Sequence, residues 1–369
     1  MKNIVVLLAG SINLDARVQK EIADFIKFKY RVTLLIWNWR PMTYINKNIN
    51  IIDVNLSNYE FPNNTISTFW RFVKYWFISV RIIRKGDYKY IHCNDLKTLG
   101  IIFFLSKKYY KNVVYDAHEL YPEMYRVNSL KFKVWTGIER HLIKRINTII
   151  VPEINRAKYL KNKYNLSKMP YVINNFPKFQ KVIPRDLRNE LGISEGKKIL
   201  CYQGVIDMNR GIEEIIESVQ LLPETFVLIL FGYTYGAYLE QLQQFIRSKR
   251  LENRIFFYGA VRPEEMLEHI AGCDISVALY RNDGMNSYLC ASNKVFDSIM
   301  AGVKVITNDY PSHSMLTGND FVSLISKNEP KLVAESVRKL VENNTEIPEN
   351  IKRKFSWEQF NDLFRQIYK

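Results

Sequence analysis

A histidine flanked by carboxylates follows one short apolar run of the sequence. The stretch YDAHELYPE comes directly after two valines and contains Asp116, His118 and Glu119. A histidine in this setting can orient a hydroxyl group or transfer a proton. The alternative is a structural histidine that is hydrogen-bonded to a backbone carbonyl, and the residues alone leave both interpretations open.

Two other apolar runs in the first half also end in polar residues. Gly10 ends the run NIVVLLAG, and Asp15 and Arg17 follow it. The glycine would let the backbone turn close to a ligand, and the next helix would offer its N-terminal N–H groups to an anion. A tight turn with a surface ion pair is the alternative. In IHCNDLKTL, Asp95 is expected to be a helix N-cap.

The second half contains a candidate phosphate site in YQGVIDMNRGIEE. Gly204 permits close backbone approach, and Arg210 stands at the opening of a predicted helix. A guanidinium group forms bidentate hydrogen bonds with phosphate oxygens, so these residues favour a diphosphate ligand. An arginine exposed to solvent is the alternative. The chain has no G-x-G-x-x-G, so a nicotinamide or flavin dinucleotide site is not expected.

A further candidate binding site of the second half lies in NSYLCASNKVFDSIMAGVKVIT. Ser292 is the predicted N-cap of a helix from Asn293 to Met300. At helical spacing Asn293, Lys294 and Asp297 project from the same side. Asp297 could accept hydrogen bonds from a ribose diol. Lys294 could instead be only the ion-pair partner of Asp297.

The elements that must position these residues are short buried strands alternating with amphipathic helices. This order predicts two doubly wound, Rossmann-like α/β domains in tandem, each with a parallel sheet covered by helices. Prolines and charges in FPKFQKVIPRD predict a linker near 177–184. Ligands of such sheets bind at the carboxyl ends of the strands, and two domains could line one cleft.

The amino-acid composition limits the classes of binding partner that we expect for this protein. The 369 residues carry 53 Lys and Arg against 37 Asp and Glu, a net charge of +16. Such an excess favours nucleic acid, an anionic membrane surface or phosphorylated substrates. The four cysteines lie far apart without metal-ligand spacing, so we expect reduced, mostly buried thiols in a cytosolic protein. We expect no secretory signal and no membrane-spanning helix, hence a soluble or peripheral protein.

Six stretches, in order, resemble the large family-4 group of retaining glycosyltransferases, which have the GT-B fold. The resemblance covers nearly the whole chain. The matching stretches are LDARVQKEIADFIKFKYRVTLL, YIHCNDLKTL, VVYDAHELYPE, YQGVIDMNRGIEEIIESV, NSYLCASNKVFDSIMAGVKVIT and FSWEQFNDLFRQIYK.

The resemblance implies a domain plan and a reaction. Residues 1–177 would bind the acceptor, residues 178–350 would bind a nucleotide sugar, and residues 351–369 would form a closing helix that returns to the first domain. The enzyme would transfer a sugar from a nucleotide diphosphate to a hydroxyl group with retention, without a metal ion or other cofactor. The alternatives are a nucleic-acid-binding protein, which the positive net charge would suit, and a nucleotide-sugar epimerase or a catalytically inactive scaffold of the same fold.

The resemblance also assigns residues to roles. His118 and Arg210 would be catalytic, and Asp15, Arg17 and Glu119 would lie on the acceptor side. The residues implied to bind the donor are Gly10, Gly204, Arg210, Asn293, Lys294 and Asp297.

The chain departs from the family pattern at two positions. Val205 stands where many members have an arginine of the phosphate turn, and Leu289 stands where the first acid of the donor signature is expected. The polar stretch 281–288 would supply substitute hydrogen bonds to the donor sugar.

A predicted helix at 66–85, ISTFWRFVKYWFISVRIIRK, carries five of the cations and no acidic residue. Its mixture of cations and aromatic side chains is typical of a helix that lies on anionic lipid. A second basic helix, SLKFKVWTGIERHLIKRI, follows the His118 stretch. Core helices with solvated basic faces are the alternative. The resemblance favours membrane contact, because many members of that family glycosylate lipid-linked acceptors. It implies as partners a nucleotide sugar, a lipid-linked or glycan acceptor and the inner face of the cell membrane. No nucleic acid is expected, because the chain lacks the usual signatures. The predicted membrane contacts are Trp70, Arg71, Lys74, Trp76, Arg81, Arg84 and Lys85.

Overall fold

The computed structural model describes residues 2–38, 42–44, 46–56, 65–234 and 236–369. The chain forms two compact units. Unit 1 comprises Met1–Asn174 together with Phe360–Lys369, and unit 2 comprises Asn175–Gln359. The backbone is irregular over residues 173–186, which include the predicted linker.

Unit 1 is built on a parallel sheet whose described part has seven strands in the order β3-β2-β1-β4-β5-β6-β7. The central strand β1 is an almost continuous apolar run and is buried along most of its length, which suits a strand covered on both faces. The strands are β1 (Lys2–Ala9), β2 (Tyr30–Trp37), β3 (Ile49–Asp53), β4 (Tyr90–Asn94), β5 (Val113–Asp116), β6 (Thr148–Val151) and β7 (Tyr171–Val172).

Helices connect these parallel strands. The helix α1 begins after Asp15, whose side chain accepts a hydrogen bond from the backbone N–H of Val18, and it buries Val18, Ile22 and Phe25. The helices are α1 (Ala16–Lys27), α2 (Thr65–Lys85), α3 (Asp95–Leu99), α4 (Leu130–Ile143) and α5 (Ile154–Tyr164).

Unit 2 has a parallel sheet with six described strands in the order β10-β9-β8-β11-β12-β13. Alternate residues of β8 enter two apolar clusters, Leu200 and Tyr202 in one and Ile199 and Cys201 in the other. The strands are β8 (Lys198–Gln203), β9 (Phe226–Phe231), β10 (Ile255–Gly259), β11 (Ile275–Ala278), β12 (Lys304–Asn308) and β13 (Val322–Ile325). The helices are α6 (Leu187–Leu191), α7 (Ile212–Gln220), α8 (Tyr238–Ser248), α9 (Met266–Ala271), α10 (Met285–Tyr288), α11 (Asn293–Ala301), α12 (Pro330–Glu342) and α13 (Glu349–Lys354).

The last helix, α14 (Asn361–Ile367), belongs to unit 1. Phe364 and Tyr368 pack their rings against Phe25, with centroids 5.0 and 4.8 Å away. The hydroxyl of Tyr30 donates to the backbone carbonyl of Tyr368. The C-terminal segment is therefore part of the core of unit 1, whereas residues 351–359 belong to unit 2.

The prediction of two parallel α/β domains is confirmed. The sequence pattern did not reveal β3 and β13, each of which lies at an edge of its sheet. Both strands are only partly buried and so lack the long apolar run that marks the central strands. The four cysteines are buried thiols that form no disulfide within the described residues, as expected.

Candidate functional site

Arg17 and Asp116 form a buried ion pair at the carboxyl ends of the unit 1 strands. The guanidinium Nε and Nη2 lie 2.9 and 3.0 Å from the two carboxylate oxygens of Asp116. Nη1 donates to the backbone carbonyl of Ile173 at 2.6 Å. Arg17 is only 5% exposed, and its place on the acceptor side stays a prediction. Asp15 caps α1, and the predicted surface ion pair is replaced by the buried one.

His118 lies between two carboxylates above this pair. Its Nε2 is 3.6 Å from Asp116 and its Nδ1 is 3.8 Å from Asp15. Burial alone would lower the pKa of His118, but Asp116 and Asp95 outweigh burial and raise the pKa to about 10. At neutral pH the ring is therefore a cation that can donate hydrogen bonds and stabilise negative charge.

A buried polar chain continues from Arg17 towards the C-terminal segment. Burial and the nearby Asp116 raise the pKa of Glu21 well above its usual value, which favours the neutral acid. Its Oε2 lies 3.0 Å from Nε2 of His92. Burial lowers the pKa of His92 to about 4, and Nδ1 of the neutral ring contacts the hydroxyl of Tyr368.

Asp95 and Arg156 position the residues after His118. The N-cap of α3 is Asn94 and not Asp95, so that prediction is wrong. Asp95 instead adopts a φ of 61°, which is uncommon for residues other than glycine. Its carboxylate accepts a hydrogen bond from the backbone N–H of Glu119 at 3.2 Å. Arg156 donates to the carbonyl of His118 and to Oε2 of Glu119. The Glu119 side chain remains 43% exposed.

Among the described residues, Glu21, Asp116 and His118 offer ligand atoms within 4.8 Å of one another. A metal ion there would have to compete with Arg17, because its guanidinium group already occupies both oxygens of Asp116. The arrangement fits a guanidinium–carboxylate pair better than a metal centre.

The fold does not require a glycine at position 10. Its φ lies outside the left-handed region, and a Cβ built there would meet only Cδ1 of Leu8, at 3.7 Å. Its role in close approach to a ligand stays a prediction.

In unit 2 the backbone is tightly packed where β8 and β9 end. Gly204 has a φ of 117°, and a Cβ on Gly232 would lie 1.8 Å from the carbonyl oxygen of Gly204. A Cβ on Gly204 would lie 2.8 Å from Cε of Lys294. Only glycine fits this turn at both positions.

Arg210 follows this turn at the end of a short 3₁₀ helix, Met208–Arg210. Gly211, with a φ of 64°, leads from there into α7. The guanidinium of Arg210 lies 3.9 Å from Asp207 and 5.2 Å from the ring centroid of Tyr280. The arginine is thus placed at the N-terminus of α7, where N–H groups favour an anion.

Lys294 reaches the same place from α11. Its ammonium group donates to the hydroxyl of Tyr202 at 2.7 Å and lies 5.2 Å from the centroid of Tyr280. Burial and the neighbouring Arg210 lower the pKa of Lys294. Sequence patterns identified the lysine but not the two tyrosines, which lie on other elements.

The predicted start of α11 is confirmed. The Ser292 hydroxyl accepts from the N–H of Val295 and also bonds to the hydroxyl of Tyr280. Asn293 is exposed and Asp297 is half-buried on this helix. Gln203, the last residue of β8, donates to the backbone carbonyl of Lys294 at 3.0 Å, which fixes the first turn of α11 against the glycine turn.

Both departures from the expected pattern, Leu289 and Val205, lie in unit 2. Leu289 is 5% exposed, so this position contributes apolar packing. The carbonyl of Val205 accepts a hydrogen bond from Tyr202 at 2.7 Å. In the stretch 281–288, Arg281 pairs with Glu214 at 3.0 Å, on the first turn of α7. A role of this stretch in binding a sugar stays a prediction.

The helix α2 buries one face and exposes the other. Trp76 is 2% exposed, so its predicted membrane contact is wrong. Its indole N–H donates to the carbonyl of Lys97, and its ring leaves no room for a Cβ on Gly100. Trp70, in contrast, is 56% exposed. Arg71 and Lys74 are half-buried, and Arg81, Arg84 and Lys85 are exposed.

None of the helices within the described residues is long and apolar enough to cross a membrane.

The chain is similar to a known protein family and to several solved structures. Residues 185–355, which include the unit 2 site, match the family model for glycosyl transferases group 1. No curated protein matches the chain by sequence.

Three solved structures are similar over nearly the whole chain. Sucrose-phosphate synthase from Thermosynechococcus elongatus is 16% identical, with a TM-score of 0.80, over 100% of this chain and 98% of its own. HepE of Anabaena, solved in complex with UDP, is 16% identical, with a TM-score of 0.72, over 99% of both chains. WaaG, a glycosyltransferase involved in lipopolysaccharide biosynthesis, is 14% identical, with a TM-score of 0.69, over 97% of this chain and 95% of its own. At these identities the likeness shows the fold, which is GT-B.

Proposed function

We propose that this protein is a glycosyltransferase that moves a sugar from a nucleotide-diphosphate donor to a hydroxyl group of an acceptor. The observation that carries the proposal is the unit 2 site, where Arg210 and Lys294 stand together at the glycine turn that leads into α7. Cations at a helix N-terminus stabilise the negative charge that develops on a departing diphosphate. The match of residues 185–355 to glycosyl transferases group 1 supports the same function.

Within this proposal Asp297 and Asn293 bind the ribose side of the nucleotide, and Gly204 allows the diphosphate to approach the backbone. A UDP complex of HepE, a protein with the same fold, is in keeping with such a donor. We propose retention at the anomeric carbon and no metal or other cofactor, because protein cations and helix N-termini supply the positive charge. No carboxylate is assigned as a covalent nucleophile.

For unit 1 we propose that the charged His118 contacts the donor sugar or the acceptor hydroxyl, with Asp15 and Glu119 on the acceptor side. Its protonated ring can stabilise negative charge, whereas a proton-accepting role requires a neutral ring. The partly exposed Glu119 and Asp15 are available for hydroxyl groups.

We propose further that the acceptor is a lipid-linked glycan and that the protein works in surface polysaccharide or glycolipid biosynthesis at the inner face of a bacterial membrane. Support comes from the net charge of +16 and from the exposed cations and Trp70 on α2. Such a surface attracts anionic lipid by about 1 kcal/mol per cation near the membrane.

The test is donor turnover. The purified protein is incubated with a panel of nucleotide sugars, and release of the nucleoside diphosphate is measured. Arg210→Ala and Asp297→Ala should abolish most of the turnover while the circular dichroism spectrum stays unchanged. Arg247→Ala, at an exposed arginine of α8, is the control and should retain wild-type turnover.

Other outcomes would contradict the site assignment or the function. Wild-type turnover in both site variants would remove the site assignment. Nucleotide binding without turnover of any sugar, or formation of an epimer without transfer, would show an inactive scaffold or an epimerase of this fold. Salt-dependent binding of RNA or DNA, with no nucleotide binding, would favour a nucleic-acid-binding protein.

A further inference from the structure

The side chain of Tyr368 enters the core of unit 1 and ends at the buried polar chain. The residue is 3% exposed, and its ring packs against Phe25 and Tyr90, with centroids 4.8 and 5.3 Å away. The hydroxyl of Tyr30 donates to its backbone carbonyl. These contacts hold the ring in place, so that its phenol hydroxyl contacts Nδ1 of His92.

The neighbours of His92 determine which of its two nitrogens carries the proton. Asn94 donates through Nδ2 to the backbone carbonyl of Leu7 at 3.0 Å, and its Oδ1, which can only accept, lies 3.2 Å from Nε2 of His92. The carboxyl oxygen Oε2 of Glu21 faces the same nitrogen at 3.0 Å. Nε2 is therefore the protonated nitrogen, Nδ1 is left as an acceptor, and the hydroxyl of Tyr368 is its donor.

Glu21 connects this imidazole to Asp116. Since Oε2 of Glu21 accepts from His92, its acid proton belongs on Oε1, which lies 3.4 Å from Nε of Arg17. Burial and Asp116 raise the pKa of Glu21, and the two carboxyl groups share a hydrogen bond. The carboxylate of Asp116 is 3.6 Å from Nε2 of His118. The hydrogen bonds thus run in one direction, from the phenol to the carboxylate that contacts His118.

The charged and titratable groups around His92 come from three other parts of unit 1. They are Arg17 and Glu21 on α1, Asp116 and His118 at and after the end of β5, and Tyr368 in the C-terminal segment. Burial lowers the pKa of His92 to about 4. A hydrogen bond donated to the neutral ring also disfavours the protonated ring. Without the phenol, Nδ1 would therefore take up a proton at a higher pH.

We propose that Tyr368 is a positioning residue for His118. Its hydroxyl occupies Nδ1 of His92, so that His92 stays a donor to Glu21 and the proton of Glu21 stays directed at Asp116. A proton on Nδ1 would make His92 a cation, draw Glu21 towards its ionised form and remove this donor from Asp116. The inference rests on the proposed function, which places His118 at the reacting groups.

The test compares Tyr368→Phe with Tyr90→Phe. Both variants remove one hydroxyl from the same aromatic cluster, but the hydroxyl of Tyr90 contacts the backbone carbonyl of Lys369. Nitrogen-15 NMR of the imidazoles, with His92→Gln to assign the signal, measures the titration midpoint of His92. Tyr368→Phe should raise this midpoint from about 4 by about one pH unit, the effect of one neutral hydrogen bond. Tyr90→Phe should leave it unchanged.

Turnover of the nucleotide sugar is then measured from about pH 4.5 to about pH 8, the interval in which a histidine with this raised midpoint titrates. At the alkaline end Tyr368→Phe should match the wild type. At the acid end its kcat should fall, with the acid limb of the profile about one pH unit higher than in the wild type. The KM for the nucleotide sugar should not change, because the residues of unit 2 are untouched. Tyr90→Phe should follow the wild type throughout.

The substitution Glu21→Gln tests the middle of the chain. A glutamine offers an oxygen to His92 and an N–H to Asp116 but cannot ionise. In a Glu21→Gln background, Tyr368→Phe should therefore no longer move the acid limb, although the midpoint of His92 still rises.

An unchanged midpoint of His92 in Tyr368→Phe would overturn the inference, as would an acid limb that moves equally with and without Glu21→Gln. Loss of stability in urea with an unchanged pH profile would also overturn it, since a tyrosine that is only structural behaves in this way. In these cases turnover by the wild type leaves the proposed function standing. Absence of turnover in the wild type overturns the proposed function, and the inference with it.

Discussion

At the scale of residues, the charge state of His118 decides what unit 1 can contribute to a reaction. The ring lies against Asp116 and Asp15 and is largely shielded from water. It is therefore suited to donating a hydrogen bond or stabilising an oxyanion, and a base would have to be supplied by another group.

We expect His118 to stay protonated well above neutral pH, with a titration midpoint near its raised pKa of about 10. Since the folded-state pKa is raised, the charge stabilises the fold fully below the unfolded pKa of about 6.5, and this stabilisation is lost as pH rises through the folded pKa. Nitrogen-15 NMR of the imidazole measures the midpoint directly, with His118→Gln to assign the signal. A midpoint near the ordinary value would contradict the role.

The Arg17–Asp116 pair and Glu21 should respond differently to neutral substitutions. Asp116→Asn leaves the buried Arg17 without its counter-charge and should destabilise the fold by about 3–5 kcal/mol. The raised pKa of Glu21 favours its neutral form, so Glu21→Gln should change stability by about 1 kcal/mol or less. Urea denaturation of both variants measures the two effects. Equal losses would show that Glu21 is ionised in the native protein.

Local patterns predicted the residues whose environment is local. Ser292 could be recognised as an N-cap, and Arg210 as the residue that opens a helix, because neighbours in sequence define both positions. The partners of Arg17 and Lys294 could not be predicted in this way. Asp116 is 99 residues from Arg17, and Tyr202 is 92 residues from Lys294, so only the fold brings each pair together.

At the scale of elements, α2 shows how much a helical pattern leaves open. The sequence correctly predicted the helix, but its aromatic residues occur on both the buried and the exposed side. Trp76 is buried because Gly100 leaves space for its ring. The neighbouring element, not the helix itself, decides which tryptophan is exposed. The same reason applies to the edge strands β3 and β13, whose partial burial depends on their place in the sheet.

The two tryptophans of α2 give a matched prediction. Trp76→Ala removes a buried ring and should lower the free energy of unfolding by about 3–5 kcal/mol. Trp70→Ala should change stability by only about 0.5 kcal/mol or less. Trp70→Ala should instead weaken binding to vesicles that contain anionic phospholipid, measured by co-sedimentation at low salt. Unchanged vesicle binding in Trp70→Ala and in Arg81→Ala would argue against α2 as a membrane surface.

At the scale of the whole molecule, the order of strands and helices was sufficient to predict two parallel-sheet units. Irregular residues with several prolines mark the passage from one unit to the other. The return of Phe360–Lys369 to unit 1 rests on contacts of Phe364 and Tyr368 with Phe25, which no local pattern encodes. Each unit carries its polar residues after the carboxyl ends of its strands, as expected for parallel sheets.

The central claim is that unit 2 binds a nucleoside diphosphate at the glycine turn and at the start of α11. Hydrogen–deuterium exchange with and without UDP tests it most directly, because exchange is read out along the backbone. UDP, or GDP or ADP if one of these binds in its place, should slow exchange in residues 204–212 and 292–298, and Arg210→Ala should abolish this protection. Protection confined to other segments, or equal protection in Arg210→Ala, would contradict the claim.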